Sequence, residues 1–167
     1  MNQTTLILGG TRSGKSRHAE TLLQQNPAPW LYLATGRAWD AEMQTRIETH
    51  KSRRPKGWQT HETPIDLTTP LKTHPNTPAL VDCLTLWLTN LLLEEHDIPA
   101  HTISLLETLT TRTAPTILVG SEVGLGIVPE NALARRFRDE AGLLHQTIAQ
   151  YAHHVFLCVA GYPLAVK

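Results

Sequence analysis

Within LILGGTRSGKS, Leu6 to Ser16, the residues Gly9, Gly14, Lys15 and Ser16 fill every fixed position of the spacing GxxxxGK[ST]. Each residue type there has a physical task. Backbone N–H groups through Gly10, Thr11, Arg12, Ser13 and Gly14 can curl around a polyphosphate at the start of a helix, Lys15 adds a point charge, and the Ser16 hydroxyl can ligate Mg²⁺. The plain alternative, a glycine-rich turn, is disfavoured by the complete spacing together with an apolar strand run before it and a helical pattern after it.

A second group centres on His50. Glu42, Arg46 and His50 fall at i, i+4 and i+8 of a helical pattern from Asp40 to Lys51, and Lys51, Ser52, Arg53 and Arg54 follow at once. Guanidinium forks and an ammonium complement phosphoryl oxygens, and the same cations favour neutral imidazole, whose lone pair can attack phosphorus. The other reading is a solvated helix end whose basic residues offset the dipole, and spacing alone favours it. A third candidate is Asp82, at the end of the apolar run Ala79-Leu80-Val81, where a carboxylate can support Mg²⁺, although lone aspartates end strands for many reasons. Ala34, Thr35 and Gly36 form a turn after the strand run Trp30 to Ala34, either a second wall of the same site or simply a loop.

These groups require a scaffold that gathers strand ends. Buried strand runs at Leu6–Leu8, Trp30–Ala34, Ala79–Leu84, Thr116–Val119 and Val155–Ala160 alternate with helical patterns at Arg17–Gln25, Leu86–Glu95, Thr102–Thr111 and a long helix after Pro129 with a core stripe of Leu133, Phe137, Leu144 and Ile148. Lys56 to Pro78, with five prolines counted from Pro55, reads as a loop with short helical pieces. The expected architecture is α/β, a mostly parallel sheet with helices on both faces, closed by an antiparallel C-terminal edge at Leu164–Val166. The loops after residues 8, 34, 84 and 119 would then share the carboxyl edge, including the glycine-rich turn from Gly120 to Gly126.

The whole chain of 167 residues reads as one domain. Fifteen basic residues balance fifteen acidic ones, so no global field favours nucleic acid or an anionic membrane. No apolar run reaches the ~18 residues of a membrane span and none resembles a signal peptide, so a cytoplasmic location is expected. Cys83 and Cys158 lie in apolar runs without metal-ligand spacing, which predicts buried, reduced thiols.

The motifs GGTRSGKSRHAE (Gly9–Glu20), RIETHKSRRPKGWQTHETP (Arg46–Pro64), TNLL (Thr89–Leu92), EVGLGIVPENALARRFRDEAG (Glu122–Gly142) and the ending GYPLAVK resemble those of the bifunctional adenosylcobinamide kinase and adenosylcobinamide-phosphate guanylyltransferase family of cobalamin assembly. The resemblance covers nearly the whole chain and implies a P-loop NTPase-like fold with two transferase activities. A nucleoside triphosphate, ATP or GTP, would phosphorylate adenosylcobinamide; GTP would then guanylylate a histidine, and GMP would pass to the substrate phosphate to give adenosyl-GDP-cobinamide. It places the nucleophile on His50 and reverses the reading from spacing alone. It also extends the nucleotide contacts over Gly9 to Ser16, Ala34 to Gly36, Lys51 to Arg54, Glu62 and Leu84, with Ser16 and Asp82 beside a divalent metal and a homotrimer as the assembly. Ser121 and His145 depart from the pattern, which leads one to expect asparagine at both, and the stretch from Glu94 to Pro115 is short. A monofunctional P-loop small-molecule kinase and a non-catalytic nucleotide-binding module are the rival readings.

Overall fold

The computed structural model describes residues 3–37 and 56–167, so the helix expected at Asp40–Lys51 lies outside the described residues. Strands β1 (Thr4–Gly9), β2 (Trp30–Ala34), β3 (Trp58–Glu62), β4 (Ala79–Asp82), β5 (Thr116–Ser121), β6 (His154–Val159) and β7 (Tyr162–Ala165) form one sheet. Its order is β3-β2-β4-β5-β1-β6-β7. All pairings are parallel except β6 with β7, the antiparallel edge expected from the sequence. Among the described residues the helices are α1 (Lys15–Leu23), α2 (Thr68–Thr73), α3 (Leu84–Leu93), α4 (Ile98–Thr111) and α5 (Ala132–Tyr151).

Period-two alternation within uniformly apolar strands explains why both faces are covered. Leu6, Leu31, Leu33, Val81 and Leu118 enter one core with Trp87, Leu88 and Leu91 of α3, Leu105 and Leu109 of α4, and Leu144 and Ile148 of α5. Ile7, Tyr32, Leu80, Ile117 and Val119 point the other way and pack with Ala19 and Leu23 of α1.

Four sequence expectations need correction. The segment Lys56–Pro78 contains strand β3, paired with β2 from Trp30↔Trp58 to Ala34↔Glu62. Gln59, Thr60 and His61 give it no apolar alternation, because an edge strand has one neighbour and little core to face. The run Ala79–Leu84 stops being a strand at Asp82: Cys83 caps α3, its sulfur accepting from Leu86 N at 3.4 Å, and Leu84 is already helical. Helix α5 begins at Ala132 rather than at Pro129, because Asn131 accepts from Ala134 N with its side chain and sets the start. Its buried residues begin at Ala141, leaving Leu133 half exposed. Both cysteines are buried and free, as expected.

At the amino edge Arg112, the one guanidinium among the largest fully buried side chains of the described residues, ties the scaffold together. It donates to Thr116 Oγ1 (2.8 Å), Leu71 O (2.6 Å), His74 O (3.0 Å) and Thr77 O (2.5 Å). Burial pushes its pKa down to about 10, which leaves it charged at neutral pH. Arg112→Met should fill similar space yet strand these acceptors, with an expected loss of about 3 kcal/mol in urea unfolding. A loss within error of zero would mean water replaces the guanidinium.

Candidate nucleotide site at the carboxyl edge

Strand β1 lies between β5 and β6, and the chain leaving it at Gly9 turns into α1 at Lys15. Gly14 precedes the helix at φ 91°, and a Cβ there would lie 3.1 Å from Gly161 Cα, so the turn needs glycine twice over. Gly161 N donates to Ser13 O at 3.0 Å, fastening the loop to the β6–β7 turn. On the other side Glu122 N donates to Gly9 O at 2.9 Å. From Thr11 to Arg17, among the described residues, only the Ser13 N–H reaches a backbone acceptor, Gly10 O at 3.3 Å. The remaining N–H groups are donors without intrachain work, which is the equipment of an anion cradle.

Lys15 Nζ donates to Gly10 O at 3.2 Å, bridging the loop. Burial raises the pKa of Cys83, and then the charge of Asp82, while Lys15 opposes; burial raises that of Cys158, again against Lys15. The ammonium is thus felt at the ends of both β4 and β6, and both sulfurs remain thiols. Ser16, the second residue of α1, is half-buried, and Ser13 Oγ is buried without a partner.

Asp82 ends β4, separated from β1 only by β5, and its Oδ2 accepts from Tyr32 OH at 2.8 Å. Thr35 is fully buried and its hydroxyl is committed: Oγ1 donates to Cys83 O (2.7 Å) and accepts from Cys83 N (2.8 Å). It fixes the chain just beyond Asp82. Asn90 donates to Thr35 O (2.8 Å) and Pro64 O (2.9 Å), joining the turns after β2 and β3. Its signal in the sequence is a lone amide inside LTLWLTNLLL, Leu84 to Leu93. Tyr32 had no comparable signal, since its hydroxyl sits within an apolar strand.

The structure thus brings Gly9–Ser16, Ala34–Gly36 and Asp82 to one edge, with Leu84 opening the helix behind Asp82. Glu62 stands at the same edge but on β3, four strands from β1, or about 19 Å at the usual strand spacing. There it lines a cavity of about 480 Å³ with His61, Asp66, Thr69 and Thr73. His50, Lys51, Ser52, Arg53 and Arg54 lie outside the described residues.

Behind β5, an added Cβ on Gly120 would lie 2.5 Å from Nε2 of His145, which is buried and has no hydrogen-bond partner at that nitrogen. Burial lowers the His145 pKa below its usual 6.5, with the Glu122 charge opposing. The unfolded imidazole therefore binds a proton that the folded one resists. This contribution is intact above 6.5 and is lost as pH falls through the lowered folded value. His145→Asn should lose less of its urea midpoint than the wild type between about pH 7.5 and about pH 5.5; an equal loss would assign acid sensitivity elsewhere.

Comparison with known proteins agrees with this architecture. The chain is similar to the ATPase of a bacterial type III secretion system (TM-score 0.58, 11% identity, 94% of this chain and 51% of that one). It is also similar to the P4 protein of bacteriophage phi6, whose structure is a complex with ADP (TM-score 0.51, 16% identity, 97% and 54%). These likenesses describe the fold: a mostly parallel P-loop NTPase sheet. No helix among the described residues is long and apolar enough to cross a membrane. In sequence, the chain is 47% identical over 166 residues to the bifunctional adenosylcobalamin biosynthesis protein CobP of Pseudomonas aeruginosa, covering 97% of this chain and 96% of the relative. It is 40% identical over 179 residues to CobU of Escherichia coli, covering 97% and 98%. The model of the cobinamide kinase / cobinamide phosphate guanyltransferase family matches residues 5–166, and the chain belongs to that family.

Proposed function

We propose that this chain phosphorylates adenosylcobinamide with a nucleoside triphosphate and then transfers GMP from GTP, through a guanylyl-histidine on His50, to give adenosyl-GDP-cobinamide. The observation that carries the reading is the loop itself. Its unshared N–H groups and Lys15 stand one strand removed from Asp82, in a chain of this family.

In the first reaction the loop N–H groups and Lys15 hold the β- and γ-phosphates while the substrate hydroxyl attacks γ-phosphorus. Ser16 and Asp82 would hold Mg²⁺; both offer the hard oxygen donors that ion takes, and Asp82 keeps its second carboxylate oxygen clear of the Tyr32 bond. Bound there, the ion would neutralise charge on the departing phosphates. Tyr32, Thr35 and Asn90 keep that carboxylate and the adjoining turns in place.

In the second reaction a neutral His50 nitrogen attacks the α-phosphorus of GTP and pyrophosphate leaves. An oxygen of the substrate phosphate then displaces the imidazole, breaking the P–N bond. Lys51, Arg53 and Arg54 suit the phosphate charge, and Glu62 with its cavity belongs to the nucleotide side of this reading. The homotrimer is part of it as well, and the exposed apolar side chains Leu143, Tyr162 and Leu164 are surface that an assembly could cover. So is a cytoplasmic setting.

The test is to supply cobinamide, Mg²⁺ and either triphosphate, and to follow the corrinoid by mass. Two successive products are expected, a phosphate ester and then a GDP ester with GTP present. Arrest at the first would leave a kinase alone; no product with retained nucleotide binding would leave a binding module.

A further inference from the structure

Phosphorylation of an alcohol needs a group to receive the hydroxyl proton as the O–P bond forms, and a positioned carboxylate gives about 10²- to 10⁴-fold when it does so. At the ends of the parallel strands, the described residues offer three carboxylates: Glu62 closing β3, Asp82 closing β4 and Glu122 just after β5. Glu62 is four strands from β1. Asp82 already accepts from Tyr32 OH and is the candidate metal ligand. Glu122 follows the strand directly beside β1, and its own N–H is bonded to Gly9 O at 2.9 Å, the residue where the phosphate loop begins.

The Glu122 side chain is held through one carboxylate oxygen. Its Oε1 accepts from Gly124 N and from Leu125 N, the latter at 3.1 Å, while the next residue, Val123, packs onto the core. Among the described residues no hydrogen bond is made to Oε2. The result is a half-buried residue whose carboxylate is anchored through one oxygen, with the other left to act.

Building on the kinase function proposed above, we propose that Glu122 is the base that accepts the proton of the substrate hydroxyl. The hydroxyl oxygen forms its bond to γ-phosphorus, and the bond from γ-phosphorus to the β–γ bridging oxygen breaks. The electron pair departs with the nucleoside diphosphate, and the proton passes to Glu122 Oε2 and then to solvent. The second reaction needs no such base. Its acceptor is a phosphate monoester, largely ionised near neutral pH, which attacks with an oxygen that carries no proton.

That difference supplies the experiment. Glu122→Gln retains a carbonyl oxygen for the Gly124 and Leu125 N–H groups but cannot take the proton. Kinase kcat with cobinamide should fall about 100-fold or more, with KM for nucleotide and Tm near wild type. Guanylyl transfer to cobinamide phosphate supplied as substrate should stay within a factor of about two. Wild-type kinase kcat in Glu122→Gln, or a parallel fall of both reactions, would overturn the proposal. The first result together with a damaged Glu122→Ala would make Glu122 an anchor of the loop. A wild-type enzyme that binds nucleotide yet fails to phosphorylate cobinamide would instead overturn the function on which the proposal rests.

Discussion

Lys15→Ala should remove phosphoryl transfer and guanylylation together, each by about 100- to 1,000-fold, because one preorganised cation is lost from the charge that develops on the leaving phosphates. Lys15 spans the loop to Gly10 O, and its charge is felt at Cys83 and Cys158 on either flank. Among the described residues no other cation is fixed at the centre of the loop in this way: Arg12 and Arg17 are exposed. The loop should survive the substitution, since Gly14, the Ser13–Gly161 bond and the Gly9–Glu122 bond hold it without the ammonium. Tm should therefore stay near wild type while triphosphate affinity and both rates fall. The measurement is paired: phosphate transfer to cobinamide, and retention of label from α-labelled GTP. If label is retained while phosphorylation is lost, the two reactions use different triphosphate sites. The cavity at Glu62, about 19 Å along the edge, would become the place to look.

How far the sequence was legible follows from where each element sits. Strands buried on both faces had to be apolar throughout, so Trp30–Ala34 could be read to the residue. The phosphate loop was legible because its chemistry restricts residue types at fixed spacing. Strand β3 was not: Trp58 is its one apolar residue, packed against Trp30 and Tyr32 with ring centroids 5.5 and 5.8 Å away, and the rest is polar. The ends of β4 and α5 were displaced for a related reason. Caps by Cys83 and Asn131 set those boundaries, while hydrophobic pattern alone carried the reading past them. The polar supports of the site were the least visible. Tyr32, Thr35 and Asn90 act through contacts between residues 26 to 55 positions apart, and only the fold makes those pairs neighbours. Glu122 is similar: its motif could be quoted, but its bond to Gly9 depends on β5 lying beside β1.

His50→Ala should divide the two activities that Lys15→Ala removes together. The variant should lose guanylyl transfer by at least about 1,000-fold, as expected when a covalent nucleophile is deleted, and should retain no label from α-labelled GTP after denaturation. Phosphorylation of cobinamide should stay within a factor of about three, because attack on γ-phosphorus needs the loop, the metal and an acceptor base but no imidazole. The adduct expected on the wild type would carry its own signature. In a guanylyl-histidine the leaving group is an imidazole, which departs readily once protonated and poorly as an anion, so the adduct should be labile in acid and stable in alkali. A serine or threonine ester would behave differently, as would an acyl phosphate on Asp82 or Glu122, which alkali cleaves. Label that survives in His50→Ala with the same acid lability would point to another histidine. His61 is the foremost alternative, since it lines the same cavity as Glu62 with its ring 5.3 Å from that of His74. Label lost in His50→Ala together with kinase activity would mean that the segment carrying His50 also builds the phosphoryl-transfer site. The cations Lys51, Arg53 and Arg54 would then be the next residues to replace, each expected to raise KM for triphosphate before it lowers kcat.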